Sequence, residues 1–138
     1  MHNASRLMNL YSETIFKLIQ QFKLPESFAI ITAHNPEGVI SDININNFHD
    51  ADLRKSLISY REVKQFHPII GCSPDMSHQE ESYAIDTSKD TAFEIATRFK
   101  QNAFFWVDKG QLSIVPVKFK GVDEVSIGSF KSRIISIK

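Results

Sequence analysis

The chain has 138 residues, 42% of them hydrophobic and 23% charged, with five each of glycine and proline; this is the composition of one ordinary globular domain and excludes a disordered or fibrous chain. Sixteen basic residues balance sixteen acidic ones, which excludes an overall field able to hold nucleic acid or an anionic membrane non-specifically. Cys72 is the only cysteine, so one chain can form neither an internal disulfide, a cysteine-rich zinc site nor an iron–sulfur cluster.

From the N-terminus, Leu7, Tyr11, Ile15, Leu18, Ile19 and Phe22 recur at three- and four-residue spacing and predict an amphipathic helix that ends before Pro25. Phe28 to Ala33 is an apolar run without alternation, the pattern of a central strand covered on both faces. It stops at His34, Asn35 and Pro36, where a turn is expected to run to Gly38. A second helix is expected to begin near Phe48, capped by Asn46 or Asn47, with Leu53, Leu57 and Tyr60 on one face. Val63 to Ile70 reads as a strand closed by Gly71, and Pro68 within it implies a sheet edge or a local break, the edge being the simpler choice. After a long polar loop from Cys72 to Glu80, Glu81 to Asp86 alternates as a third strand. Thr87 and Asp90 mark a helix start, and Ala92, Ile95, Ala96 and Phe99 form its buried stripe. Gln101 and Asn102 end that helix. A-F-F-W-V then gives a fourth strand, and Asp108-Lys109-Gly110 turns into a fifth over Leu112 to Val117. Residues 121–128 read as irregular, and S-R-I-I-S-I near the end alternates as a sixth strand.

This order predicts an α+β fold, a ferredoxin-like βαββαβ sheet with an extra N-terminal helix and additional C-terminal strands. The domain then spans 1–138, with the helix in 1–24, the core in 28–118 and an extension in 119–138. The N-terminal ten residues interleave polar with apolar side chains, unlike a secretion signal, and no stretch has the length of a membrane span. A cytoplasmic location is expected. Residues 75–94 carry six acids against Lys89 alone, whereas 109–138 carry six basic residues against Asp123 and Glu124. Such a basic tail reads first as a solvated surface and second as a contact for an acidic partner.

The predicted topology gathers Thr32, His34, Asn35, Asn46, His78, Glu80, Ser82, Gln101 and Asn102 at one end of the sheet. The amides of Asn35, Asn46, Gln101 and Asn102 suit a planar polar ligand or a carboxylate that needs orienting, and equally suit turns and helix ends. Glu80 is the candidate acid or base, with His78 beside it. His78, Glu80 and His34 could also ligate a metal weakly, although a loop would spoil the shared face of residues two apart, and no metal or cofactor is assigned. No G-x-S-x-G turn presents Ser82 or Ser73 as a nucleophile, no phosphate loop or dinucleotide fingerprint occurs, and Cys72 reads as incidentally exposed. Phe104 and Trp106 share one face and Phe105 takes the other, a core pattern more than a base-stacking one, so nucleic acid is disfavoured as a partner.

Taken together, T-A-H-N-P (Thr32 to Pro36), Asn46 seven residues before Leu53, E-x-S (Glu80, Ser82) and F-x-Q-N-A-F-F-W (Phe99 to Trp106) resemble the bacterial family catalogued as domain of unknown function 3293. The resemblance runs from Tyr11 to about Val115 and implies a compact bacterial domain without an assigned activity. It places Thr32, Asn35, Pro36, Asn46, Glu80, Ser82, Gln101, Asn102 and Ala103 at the family's pattern positions, and the chain departs from the pattern at His34. Three functional readings follow. The first is a binding module that takes a small polar ligand or a protein partner at the polar edge through Thr32, Asn35, Asn46, Glu80, Ser82, Gln101 and Asn102. The second is a small hydrolase or nuclease using Glu80 with a histidine and a divalent ion. The third is a homodimer paired through an edge strand.

Overall fold

The computed structural model describes residues 9–118 and 121–136. Its strands, in chain order, are β1 (Ile15–Leu18), β2 (Ser27–Thr32), β3 (Gln65–Cys72), β4 (Gln79–Asp86), β5 (Ala103–Asp108), β6 (Gln111–Pro116), β7 (Val125–Ser129) and β8 (Ile134–Ser136). Helix α1 (Ile43–Ser59) connects β2 to β3, and α2 (Lys89–Arg98) connects β4 to β5. All eight strands join one sheet in the order β7-β6-β5-β2-β4-β3-β1-β8, mixed because β1 and β8 are parallel while the other neighbours are antiparallel.

This order forces the sheet to curl. Laid flat, eight strands place β7 and β8 seven spacings apart, roughly 33 Å. The chain passes from Ser129 to Ile134 between them, a reach of at most about 18 Å. The side chains show the same closure, since Phe16 of β1 meets Phe105 of β5 with ring centroids 5.0 Å apart, although three strands separate β1 from β5. Phe130, between β7 and β8, is fully buried and packs its ring against Phe16 at 5.5 Å and Phe28 at 5.4 Å. Arg133 fastens the seam: its guanidinium donates to the carbonyls of Ser12, Thr14 and Ile127, which ties β7 to the segment that enters β1.

Strand alternation sorts the side chains onto two faces. Ala29 and Ile31 of β2, Tyr83 and Ile85 of β4, and Phe104 and Trp106 of β5 pack beneath Leu53 and Leu57 of α1 and Ala92, Ile95 and Ala96 of α2. Phe28 and Ile30, Ala84, Phe105 and Val107 point instead into the concave side, which the curl itself covers with Phe16, Leu112, Ile114 and Phe130. Phe104, Phe105 and Trp106 are all buried.

Several expectations are corrected. The ferredoxin-like βαββαβ fold is overturned. Although β5, β2, β4 and β3 lie side by side, β6 and β7 on one flank and β1 and β8 on the other make a mixed, half-barrel sheet of twice that width. The N-terminal helix is limited in the described residues to one turn at 9–12, and Ile15 to Leu18, part of its supposed stripe, form β1. A short apolar run cannot separate helix from strand by spacing, and here the free edge of β3 takes Ile15 to Leu18 into the ladder opposite Cys72 to Ile69. Leu7 lies outside the described residues. For the same reason β3 is not an edge: β1 covers Ile69 to Cys72, and Pro68 falls just past the paired stretch. Helix α1 starts earlier than expected, at Ile43, with Asp42 as its cap accepting from Asn44 N at 2.7 Å. Its exposed Ile43, Ile45 and Phe48 had blurred the amphipathic pattern there. Residues 125–128, part of the stretch expected to be irregular, belong to β7 beside β6, and the expected last strand is a strand only at Ile134–Ser136, because Ser132 and Arg133 lie in a 3-10 turn and Ile137 lies outside the described residues.

Candidate functional site

The site begins at the end of β2, where the backbone adopts an uncommon path. Asn35, Glu37 and Gly38 all have positive φ (49°, 61° and 75°) around Pro36. A left-handed conformation costs a residue such as Glu37 about 1–2 kcal/mol, so the turn needs fixing from outside. Glu37 N donates to Lys100 O at 2.6 Å, and the Asn46 side chain reaches back from α1 to bracket Asn35. In that bracket Asn35 N donates to Asn46 Oδ1 at 2.9 Å while Asn46 Nδ2 donates to Asn35 Oδ1 at 3.0 Å. Ser41 N donates to the same Asn35 oxygen. At Gly38 a Cβ would stand 2.9 Å from Asn102 Nδ2, so both space and φ call for glycine.

With its oxygen engaged, Asn35 offers its Nδ2 to Glu80 Oε2 at 2.8 Å. Glu80 and Ser82 occupy alternate positions on β4 whose side chains face the concave side, as does that of Ala84. Gly71 of β3 pairs with Glu80 and places no side chain beside the carboxylate. His78 Nε2 approaches Glu80 Oε2 at 3.4 Å, and this hydrogen bond raises the imidazole pKa against the opposing effect of burial. Among the described residues Glu80 Oε1 has no hydrogen-bond partner.

These groups border a cavity of about 510 Å3 at the open end of the half-barrel. Its apolar wall includes Tyr11, Phe16, Ile30, Ile40 and Phe105. Its polar rim holds Thr32, His34, Asn35, His78, Glu80, Ser82 and Gln101. Burial, reinforced by the charge of Glu80, pushes the Tyr11 hydroxyl well above the ordinary tyrosine range. Gln101 Nε2 donates to His34 O at 3.1 Å and Phe99 O at 3.3 Å, fastening the end of α2 to the end of β2. Thr32 Oγ1 donates to Glu81 O and receives His34 N.

The nine residues expected to gather are therefore near one another, but in two tiers. Thr32, His34, Asn35, His78, Glu80, Ser82 and Gln101 border the cavity, whereas Asn46 and Asn102 are buried behind it and support the turn. Two features escaped the sequence. Cys72, expected in an exposed loop, is buried in β3 on the cavity wall with its thiol pKa raised by burial. Tyr11 was assigned to a helical stripe, and only the curl of the sheet brings it over Glu80. Ser73, in the loop, is tied to Asp75 at 2.7 Å, and hydrogen bonds from Ser77 and Ser73 hold the Asp75 carboxyl down at about 2.

Residues 31–104, more than half of the chain, match the family model described as a protein of unknown function (DUF3293). No curated protein and no solved structure matches the chain. Among the described residues no helix is long and apolar enough to cross a membrane.

Proposed function

The chain belongs to the DUF3293 family, whose description carries no activity, and from the site itself we propose a binding module for a small ligand with an apolar body and one hydrogen-bond-donating, preferably cationic, head. One observation carries this reading: Glu80 is held on the cavity rim by Asn35 and His78 through Oε2, while Oε1, beside a largely aromatic and aliphatic wall, has no hydrogen-bond partner among the described residues. A concave apolar pocket with a few fixed polar groups is the common form of a small-molecule site. The amides of Asn35 and Gln101 are already engaged with backbone and carboxylate, so their role is to orient Glu80 and close the turn. A cytoplasmic setting is part of the proposal, in keeping with the single cysteine.

Hydrolysis or nuclease chemistry at Glu80 has less support. Ser82 Oγ donates to Glu80 O, Ser73 Oγ is bound to Asp75, and burial raises the Cys72 thiol, so none of these nucleophiles is set against the His78 ring.

The test uses three phenyl probes of similar size: 2-phenylethylamine, 2-phenylethanol and phenylacetate. The amine should shift the NMR signals of Tyr11, Ile30 and Phe105 with the highest affinity and the acid should bind least, and Glu80→Gln should abolish that ranking. Equal binding of the acid, or no shift with any probe, overturns the proposal.

A further inference from the structure

The geometry points to a site for a first-row divalent cation, of the Zn2+ or Mn2+ class, formed by His34, Asp50 and Glu81. One donor atom from each of these residues lies within 4.8 Å of the others. They come from the turn after β2, from α1 and from β4, three elements fixed against one another by the helix-covered core. Asp50 and Glu81 do not border the cavity, so this site goes beyond the Glu80 reading, with His34 as the one residue common to both.

Proximity alone would describe any acidic cluster. What distinguishes this one is a pair of buried, unpartnered atoms. Among the described residues, His34, only 5% exposed, has no hydrogen-bond partner at its Nε2, and Asp50 Oδ1 is likewise buried and without a partner. The other oxygen of Asp50 accepts from Tyr83 Oη at 3.2 Å, which orients the carboxylate. With a donor atom of His34 within 4.8 Å of one of Asp50, a Lewis acid bound between the two residues would satisfy a buried imidazole nitrogen and a carboxylate oxygen together. Donors bound to one such ion at about 2.0–2.2 Å lie roughly 3–4 Å apart, so the present spread needs only a small inward movement. The exposed Glu81 side chain is free to supply it. A nitrogen donor favours first-row ions over Mg2+ and Ca2+, and three protein donors leave positions for water.

The experiment is calorimetric titration of the full chain, stripped of metal with EDTA, using ZnCl2, MnCl2, MgCl2 and CaCl2 in turn. Zn2+ or Mn2+ should saturate at one ion per chain and more tightly than Mg2+ or Ca2+. Glu81→Gln, at an exposed position that leaves the apo melting temperature unchanged, should weaken binding at least about tenfold, as should Asp50→Asn. Glu80→Gln should leave it unaltered, and the bound ion should shift the His34 ring nitrogen signals. Absence of one-to-one binding overturns the inference. So does binding that survives Glu81→Gln and Asp50→Asn but fails in Glu80→Gln, which would put the ion on the rim pair of His78 and Glu80.

Discussion

The two faces of the sheet solve the problem of burial differently. On the convex face, α1 and α2 are laid over Ala29, Ile31, Tyr83, Ile85 and Trp106, so the cover comes from separate elements. On the concave face the sheet is its own cover: Phe16, Phe28, Phe105 and Phe130 meet because the strands roll toward one another. A rolled sheet cannot fill its interior to the end as a flat helix–sheet sandwich can. The unfilled end is where the cavity opens and where β2 and β4 deliver their polar residues. Both faces hold a buried core, and the rolled side also leaves the cavity that the proposed function fills.

Truncations on the two faces should separate these roles, and they have the largest expected effects. Phe130→Ala should cost about 3–5 kcal/mol and Leu57→Ala about 2–5 kcal/mol in urea unfolding. Only Phe130→Ala should also speed amide exchange in β8 and weaken ligand binding, because only it loosens the roll. Comparable binding losses in both variants would erase the distinction between the faces.

Asn46→Ala tests the link from α1 to the rim. It removes the acceptor of the buried Asn35 N–H and a donor to Asn35 Oδ1, so a loss of about 1–3 kcal/mol is expected in urea unfolding. A change within a few tenths of a kcal/mol would mean that water replaces the amide and that the bracket is dispensable.

The smallest effect belongs to His78. Its folded pKa is raised above the ordinary 6.5 by the hydrogen bond to Glu80. The stabilisation is therefore full below the unfolded pKa and lost as pH rises through the folded one. Exposure of the pair keeps the effect small. An NMR titration should give a midpoint above the ordinary histidine value, returning to it in Glu80→Gln. A midpoint at or below that value in the native chain would show that the pair does not form.

The helix-covered face was largely legible in the sequence. The stripe of Ala92, Ile95, Ala96 and Phe99, the unalternated run of β2 and the Lys109-Gly110 turn, with both φ values positive, each carry a local signal. The rolled face was not, because its cover depends on pairings between chain ends. Nothing local in Ile15 to Leu18 distinguishes a helical stripe from a strand that needs both β3 and β8 beside it. The polar rim was foreseen in residue type, since Asn35, Glu80 and Gln101 end or begin apolar elements. Its division into rim and support was not, because Asn46 sits inside α1 and reaches backwards. Nothing in the sequence pattern singles out Asp50 and Glu81, and only the His34 nitrogen, without a partner among the described residues, gives them a shared point.

The roll of the sheet is tested most directly by nuclear Overhauser contacts between the rings of Phe16 and Phe105. Four flat strand spacings would hold those rings about 19 Å apart, whereas their centroids here are 5.0 Å apart. A strong cross-peak between them is the predicted result. Its absence, with both rings assigned, would unroll the sheet and remove the cavity with it.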